Sequence, residues 1–103
     1  MKKQTKKYVR ITFSSGACYD LSIDDIKKHY ARFVVQQIDN RPLEYAIQEA
    51  DRYFAEDEDH FIECATFGMS WTDAVLNAIS VERGAYVNKN NEWQSAKKEL
   101  IEK

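Results

Sequence analysis

Glycine, proline and cysteine are all scarce in this chain of 103 residues: three, one and two of them respectively. Each shortage excludes something. Isolated glycines at 16, 68 and 84 cannot build a phosphate-cradling loop, which needs them clustered ahead of a helix, and no nucleophile-elbow motif is present. Cys18 and Cys64 stand singly, without a Cys-x-x-Cys pair, so no thioredoxin-like motif is written here. No apolar run approaches the ~20 residues that cross a bilayer, and the basic start, MKKQTKKYVR, lacks the apolar core of a signal peptide. The expectation is a cytosolic protein with no membrane partner and with reduced thiols.

What is abundant points to a folded domain. Apolar residues make up 44% of the chain and aromatics 13%, too much for a disordered segment. The length suits one domain, residues 1–103, with 1–6 as a flexible basic arm. Charge is segregated: residues 1–32 carry +5, residues 33–82 carry −9 and residues 83–103 carry +2. A middle this acidic repels nucleic-acid phosphates, so a basic protein is the better partner.

The periodicity predicts an α+β fold, an N-terminal hairpin packed on four to five helices. Val9, Ile11 and Phe13 alternate with polar residues, SSG supplies a turn, and Cys18 to Ile23 returns. Ser22 with Asp25 opens a helix whose face is Ile23, Ile26, Tyr30, Phe33, Val34 and Ile38, ended by DNRP. Pro42 opens a second, with the stripe Leu43, Ala46, Ile47, Ala50, Tyr53 and Phe54. A short helix is expected over His60–Phe67. Another starts at Ser70, capped by Asp73, and carries Trp71, Ala74, Val75, Ala78 and Ile79. RGAYVNKNN reads as a turn, a third short strand and a polar loop. Trp93, Ala96, Leu100 and Ile101 are expected on a last helix.

Candidate chemistry concentrates in FAEDEDHFIEC, Phe54 to Cys64. His60 and Cys64 are one helical turn apart and with Cys18 and His29 would make a two-Cys, two-His zinc set, but the ligand spacing of zinc sites is absent. DEDHFIE lacks the glycine and oxygen spacing of a calcium loop. Glu56 to Asp59 are consecutive, so their side chains diverge and remain hydrated rather than forming the paired carboxylates of acid–base catalysis. Acidic neighbours also raise a thiol's pKa, weakening Cys64 as a nucleophile. The expectation is a non-enzyme without metal, cofactor or small-molecule substrate.

Two binding modes remain. ATFGMSWTDAVLNAIS has the outline of a helix-turn-helix, yet its second helix offers Trp71, Thr72, Asp73 and Asn77 with no lysine or arginine. A DNA-binding regulator would rely on Lys2, Lys3, Lys6, Lys7 and Arg10 for phosphate. The alternative is the acidic surface itself. Glu44, Glu49, Asp51 and Glu56 lie away from the apolar stripe and continue into Asp57, Glu58, Asp59 and Glu63, beside Tyr45, Tyr53 and Phe61. Such carboxylates can fill a basic groove as phosphates do, and aromatics can stack on arginine. The expected partner-binding set is Glu49, Tyr53, Glu56, Asp57, Glu58 and Asp59.

Tyr19–Asp20, His29–Tyr30–Ala31, the run Glu56 to Asp59, and ECATFGMSWTDAV with Ala65, Met69, Trp71, Asp73 and Val75 form a pattern. It resembles a family of small, mostly uncharacterised phage and prophage proteins, over residues 8–80. Cys64 stands where that family tends to have tryptophan, and TFG replaces a more polar stretch. The resemblance implies a viral origin and, by analogy with other small acidic phage proteins, an inhibitor of a host nucleic-acid-binding protein, such as an anti-CRISPR or anti-restriction factor. A self-associating assembly component, working as a homodimer or larger, is the third expectation.

Overall fold

A strand turns successive side chains to opposite faces, and residues 7–12 are patterned for it. Strand β1 (Lys7–Thr12) buries Val9 and Ile11 completely and turns Tyr8, Arg10 and Thr12 the other way. The computed structural model describes residues 6–35, 40 and 42–103. The chain reverses after Phe13, whose amide donates to the Ala17 carbonyl at 2.9 Å, and Gly16 takes φ +89°, open to glycine without strain. Strand β2 (Cys18–Ser22) returns antiparallel, from Thr12 opposite Cys18 to Tyr8 opposite Ser22. The expected hairpin is present.

Helix α1 (Ile23–Tyr30) opens where Ser22 Oγ accepts the amide of Asp24 at 3.2 Å. It then widens into a π-helical turn, Ala31–Val35. A π turn takes an extra residue per revolution and rotates the residues beyond it off the α-helical stripe. Within that turn Ala31 takes the buried position, and Phe33, expected on the buried face, is 54% exposed. Ile38 and the side chain of Val34, expected beside it, lie outside the described residues and side chains. Helix α2 (Leu43–Glu56) begins after Pro42 and buries Ala46, Ala50 and Phe54, leaving Ile47 at the margin. Helix α3 (Asp59–Phe67) buries Phe61 and Ala65, and stacks Phe61 on Phe54 at 4.3 Å. The Gly68 amide closes it on the Cys64 carbonyl at 2.8 Å.

The chain after Gly68 departs from expectation in three places. Ser70 and Asp73 form the expected capping box, but helix α4 (Trp71–Ala74) is one turn long. Val75, expected in the core, is 42% exposed, and Ile79 belongs to strand β3 (Ile79–Glu82) instead of a helix. The third strand therefore precedes RGAYVNKNN, because β2 offers a free edge to which the β-branched Ile79 and Val81 are suited. The segment expected as a last helix is built differently. A one-turn helix α5 (Lys89–Glu92), capped by Asn88, precedes Trp93, and Leu100 and Ile101 lie in strand β4 (Lys97–Glu102). Residues KKELIE have good helix propensity, but the open edge of β1 supplies a full ladder of partners, and tertiary pairing overrides the local preference.

The sheet has strand order β3-β2-β1-β4, every pair antiparallel. With five α-helices among the described residues, this is an α+β architecture of the expected class. The core joins Val9, Ile11 and Leu21 of the sheet to Ile26, Phe54, Phe61, Met69 and Trp93. No helix among the described residues is long and apolar enough to cross a membrane.

Gly84 shows why glycine persists in one loop. A Cβ there would meet the backbone nitrogen of Ala17 and the backbone oxygen of Ser15 at 2.6 and 2.7 Å. Gly84→Ala must push the β3–α5 loop off the hairpin turn, at a cost of about 1–3 kcal/mol. We expect a lower urea midpoint with an unchanged slope; an unchanged midpoint would show that the loop gives way freely.

Candidate functional site

Helix α2 ends at Glu56, Asp57 is extended (φ −159°, ψ 123°), and α3 begins at Asp59. The acidic run is thus a sharp elbow between two packed helices. Its backbone is held: Asp57 Oδ1 accepts the Asp59 amide at 2.9 Å, and the Asp57 and Glu58 carbonyls accept the amides of His60 and Phe61, each at 3.1 Å. Part of the run's work is local, since carboxylates at a helix N-terminus favour the helix dipole.

The six residues expected to bind a partner divide into two groups of three. Glu56, Asp57 and Asp59 are exposed and have no ion-pair partner among the described residues. Glu58 pairs with Lys7, and Glu49 with Arg52 at 3.2 Å. Tyr53 is half-buried, stacked between Tyr30 at 4.7 Å and His60 at 4.0 Å with both interplanar angles under 5°. Those three are engaged within the chain. Asp51, expected in the same band, faces Lys27 at 3.2 Å.

Beside the elbow lies a cleft of about 290 Å³ between α1 and α3. Ile26, Cys64 and Met69 line it with apolar surface, Tyr30 and Tyr53 wall it, and Glu63 and Phe67 stand at its rim. Burial pushes the Cys64 thiol up to about 11, with Glu63 adding to the shift, so it stays protonated near neutrality. Burial likewise raises the Tyr30 and Tyr53 hydroxyls. The charges of Glu49 and Glu56 act in the same direction on Tyr30, and that of Glu63 on Tyr53. The cleft therefore sits in a negative field.

The four candidate zinc ligands do not converge. Cys18 shares a hydrogen bond with Thr12 Oγ1 at 3.1 Å on the outer sheet face, and His60 Nδ1 meets the Tyr53 carbonyl at 2.8 Å. His29 and Cys64 both line the cleft, with Asp73 at 3.7 Å from His29. Burial holds His29 below its usual pKa in spite of that carboxylate. Among the described residues no three His, Cys, Asp or Glu side chains gather as a metal site.

The segment resembling a helix-turn-helix has the wrong shape for one, since α4 spans a single turn. Trp71 packs against Phe13 and Tyr19 at 5.7 and 4.8 Å rather than facing outward. Of the basic residues proposed for phosphate, Lys7 is taken by Glu58 and Glu102 and Arg10 by Asp20. Lys2 and Lys3 lie outside the described residues.

The sequence pattern also passes over a polar cluster on the outer sheet face. Asp20, fully buried, accepts hydrogen bonds from Arg10 Nε and Nη2 at 2.8 and 3.1 Å and pairs with Lys103 Nζ at 2.6 Å. Arg10 sits directly opposite Asp20 in the ladder, a register readable once the hairpin is assigned. The rim of the cleft was legible in another way: Glu63 and Phe67 are four residues apart and share one face of α3. Comparison with protein-family models, with curated proteins and with solved structures finds no significant match to this chain.

Proposed function

We propose that this chain is a non-enzymatic binding protein whose acidic elbow occupies a basic groove on a nucleic-acid-binding protein of a bacterial host. The resemblance to small phage proteins makes an anti-CRISPR or anti-restriction inhibitor, acting in the host cytosol, the most concrete form of this reading. One observation carries it: Glu56, Asp57 and Asp59 project from a corner fixed by hydrogen bonds and have no cation paired with them among the described residues. A backbone already fixed at the elbow need not be ordered on binding, which leaves only side-chain freedom to lose, and charge complementarity steers a basic partner toward the unpaired carboxylates.

The test neutralises the elbow without removing its caps. Glu56→Gln, Asp57→Asn and Asp59→Asn together keep side chains able to bond the first amides of α3. Partners captured from bacterial lysate are identified by mass spectrometry and re-measured with purified components. We expect the triple variant to bind 10- to 100-fold more weakly, at about 0.5–1 kcal/mol per lost charge pair, and its melting temperature to stay within a few degrees. The partner's own nucleic acid should compete with the wild-type chain. Affinity unchanged within twofold would dismiss the elbow as the contact.

A further inference from the structure

We propose that the cleft beside the elbow, between Tyr30, Tyr53, Glu63 and Phe67, receives one arginine side chain from the basic partner. This rests on the binding role assigned above and names the group that anchors it. Size comes first. Binding sites for whole small molecules run from about 300 to 1,000 Å³, and this cleft, at about 290 Å³, falls just short of that range. A nucleotide or cofactor would overfill it; a single long side chain fits.

Chemistry then selects among side chains. Ile26, Met69 and the protonated Cys64 thiol make a largely apolar interior, and the His29 imidazole beside them is disfavoured as a cation by burial, which suits an aliphatic stem that carries its charge at the far end. The charge must be positive. Glu63 stands at the rim, no lysine or arginine among the described residues lines the cleft, and Glu49 and Glu56 add their field at Tyr30. A carboxylate or phosphate is repelled there, and a neutral apolar group would strip water from Glu63 with nothing in return.

The rim favours guanidinium over ammonium. Tyr53 has both ring faces covered by Tyr30 and His60, so its wall is stiff and presents an edge and a hydroxyl. Phe67 is 76% exposed and free to offer a ring face. A planar guanidinium can lie on that ring while its N–H fork meets Glu63 and a tyrosine oxygen, which a compact ammonium cannot do at once. An exposed phenylalanine next to a carboxylate at the mouth of an apolar cleft also has a use on this reading, as the lid of the stacked cation.

The test needs no partner. ¹⁵N-labelled protein is titrated with N-acetyl-arginine amide, and in parallel with the citrulline and lysine counterparts. We expect saturable shifts confined to Glu63, Cys64, Phe67 and Gly68, in the millimolar range for so few contacts. Citrulline amide should bind at least fivefold more weakly, and lysine amide more weakly than arginine amide. Glu63→Gln and Phe67→Ala, both at the solvent-facing rim, should each weaken arginine amide at least fivefold while leaving the rest of the spectrum in place. A double variant of the elbow, Asp57→Asn with Asp59→Asn, leaves Glu49, Glu56 and Glu63 in place and should still bind arginine amide within about twofold, so that failure of the cleft and failure of the elbow are told apart. Shifts scattered over the surface, equal response to citrulline or lysine, or indifference to Glu63→Gln would each overturn the assignment.

Discussion

Trp93→Ala lowers the melting temperature by more than ~15 °C, the largest stability effect expected from any single substitution here. Trp93 is 2% exposed, and its indole N–H donates to the Ala65 carbonyl at 2.6 Å, tying the segment after α5 to the last turn of α3. Its ring meets Trp71 and Phe13 at 6.1 and 6.4 Å, and Lys98 Nζ lies 5.0 Å from its centre while donating to the Trp93 carbonyl. Truncating a buried tryptophan costs about 3–5 kcal/mol through lost burial and the cavity left behind. The orphaned Ala65 carbonyl adds about 1–3 kcal/mol. Against a total stability of about 5–15 kcal/mol, most of the folded state's margin disappears. Trp93→Phe separates the two contributions, since it refills much of the space but leaves the carbonyl unpaired, and should fall between wild type and alanine. Thermal melts monitored by circular dichroism measure both. A Trp93→Ala melt within a few degrees of wild type would show that this residue does not hold α3 to the sheet.

Asp20→Asn carries the second largest effect, about 2 kcal/mol at neutral pH, because Arg10 and Lys103 both lose the carboxylate they converge on. Burial by itself would raise the Asp20 pKa, but hydrogen bonds and charge from Arg10 and Lys103 outweigh it and hold the group below the usual aspartate value. The sign depends on which state binds the proton more tightly. A carboxyl with a depressed folded pKa contributes fully above its unfolded value, near 3.8, and loses that contribution as pH falls through the folded value. The gap in melting temperature between wild type and Asp20→Asn should therefore be constant from pH 7 to about pH 5 and should close below pH ~3.8. A gap that persists unchanged at pH ~2 would mean that packing, not charge, fixes Asp20 in place.

What could be read from the residues in order was whatever depended on near neighbours. The alternation of Val9 and Ile11, the alanine stripe of α2 and the Ser70–Asp73 cap are all set within one turn or one strand, and all appear as the local pattern predicts. Strand β4 did not, since nothing within KKELIE announces that β1 will stand open beside it. Residues 79–82 carried a strand signal in Ile79 and Val81, but the same residues also extended the helical spacing begun at Trp71, and only the free edge of β2 decides between the two. The candidate site divides the same way. Exposure of Glu56, Asp57 and Asp59 is expected of four acids in succession, whereas the loss of Glu58 to Lys7 joins residues 51 positions apart. Tyr53 sits beside the elbow as expected, yet its stacking between Tyr30 and His60 depends on how α1 crosses α2 and α3. The cleft, built from three separate helices and a loop, has no signature in any one of them.

Strand β4 lies roughly 90 residues downstream of the β1 residues it pairs with, and a ribosome adding about 5–20 residues per second needs some 5–20 s to cover that distance. For that interval one side of β1 has hydrogen-bonding groups facing water, the arrangement that invites a second strand from another molecule. We expect yield in the cell to fall as temperature rises and to recover with chaperones that cover such edges.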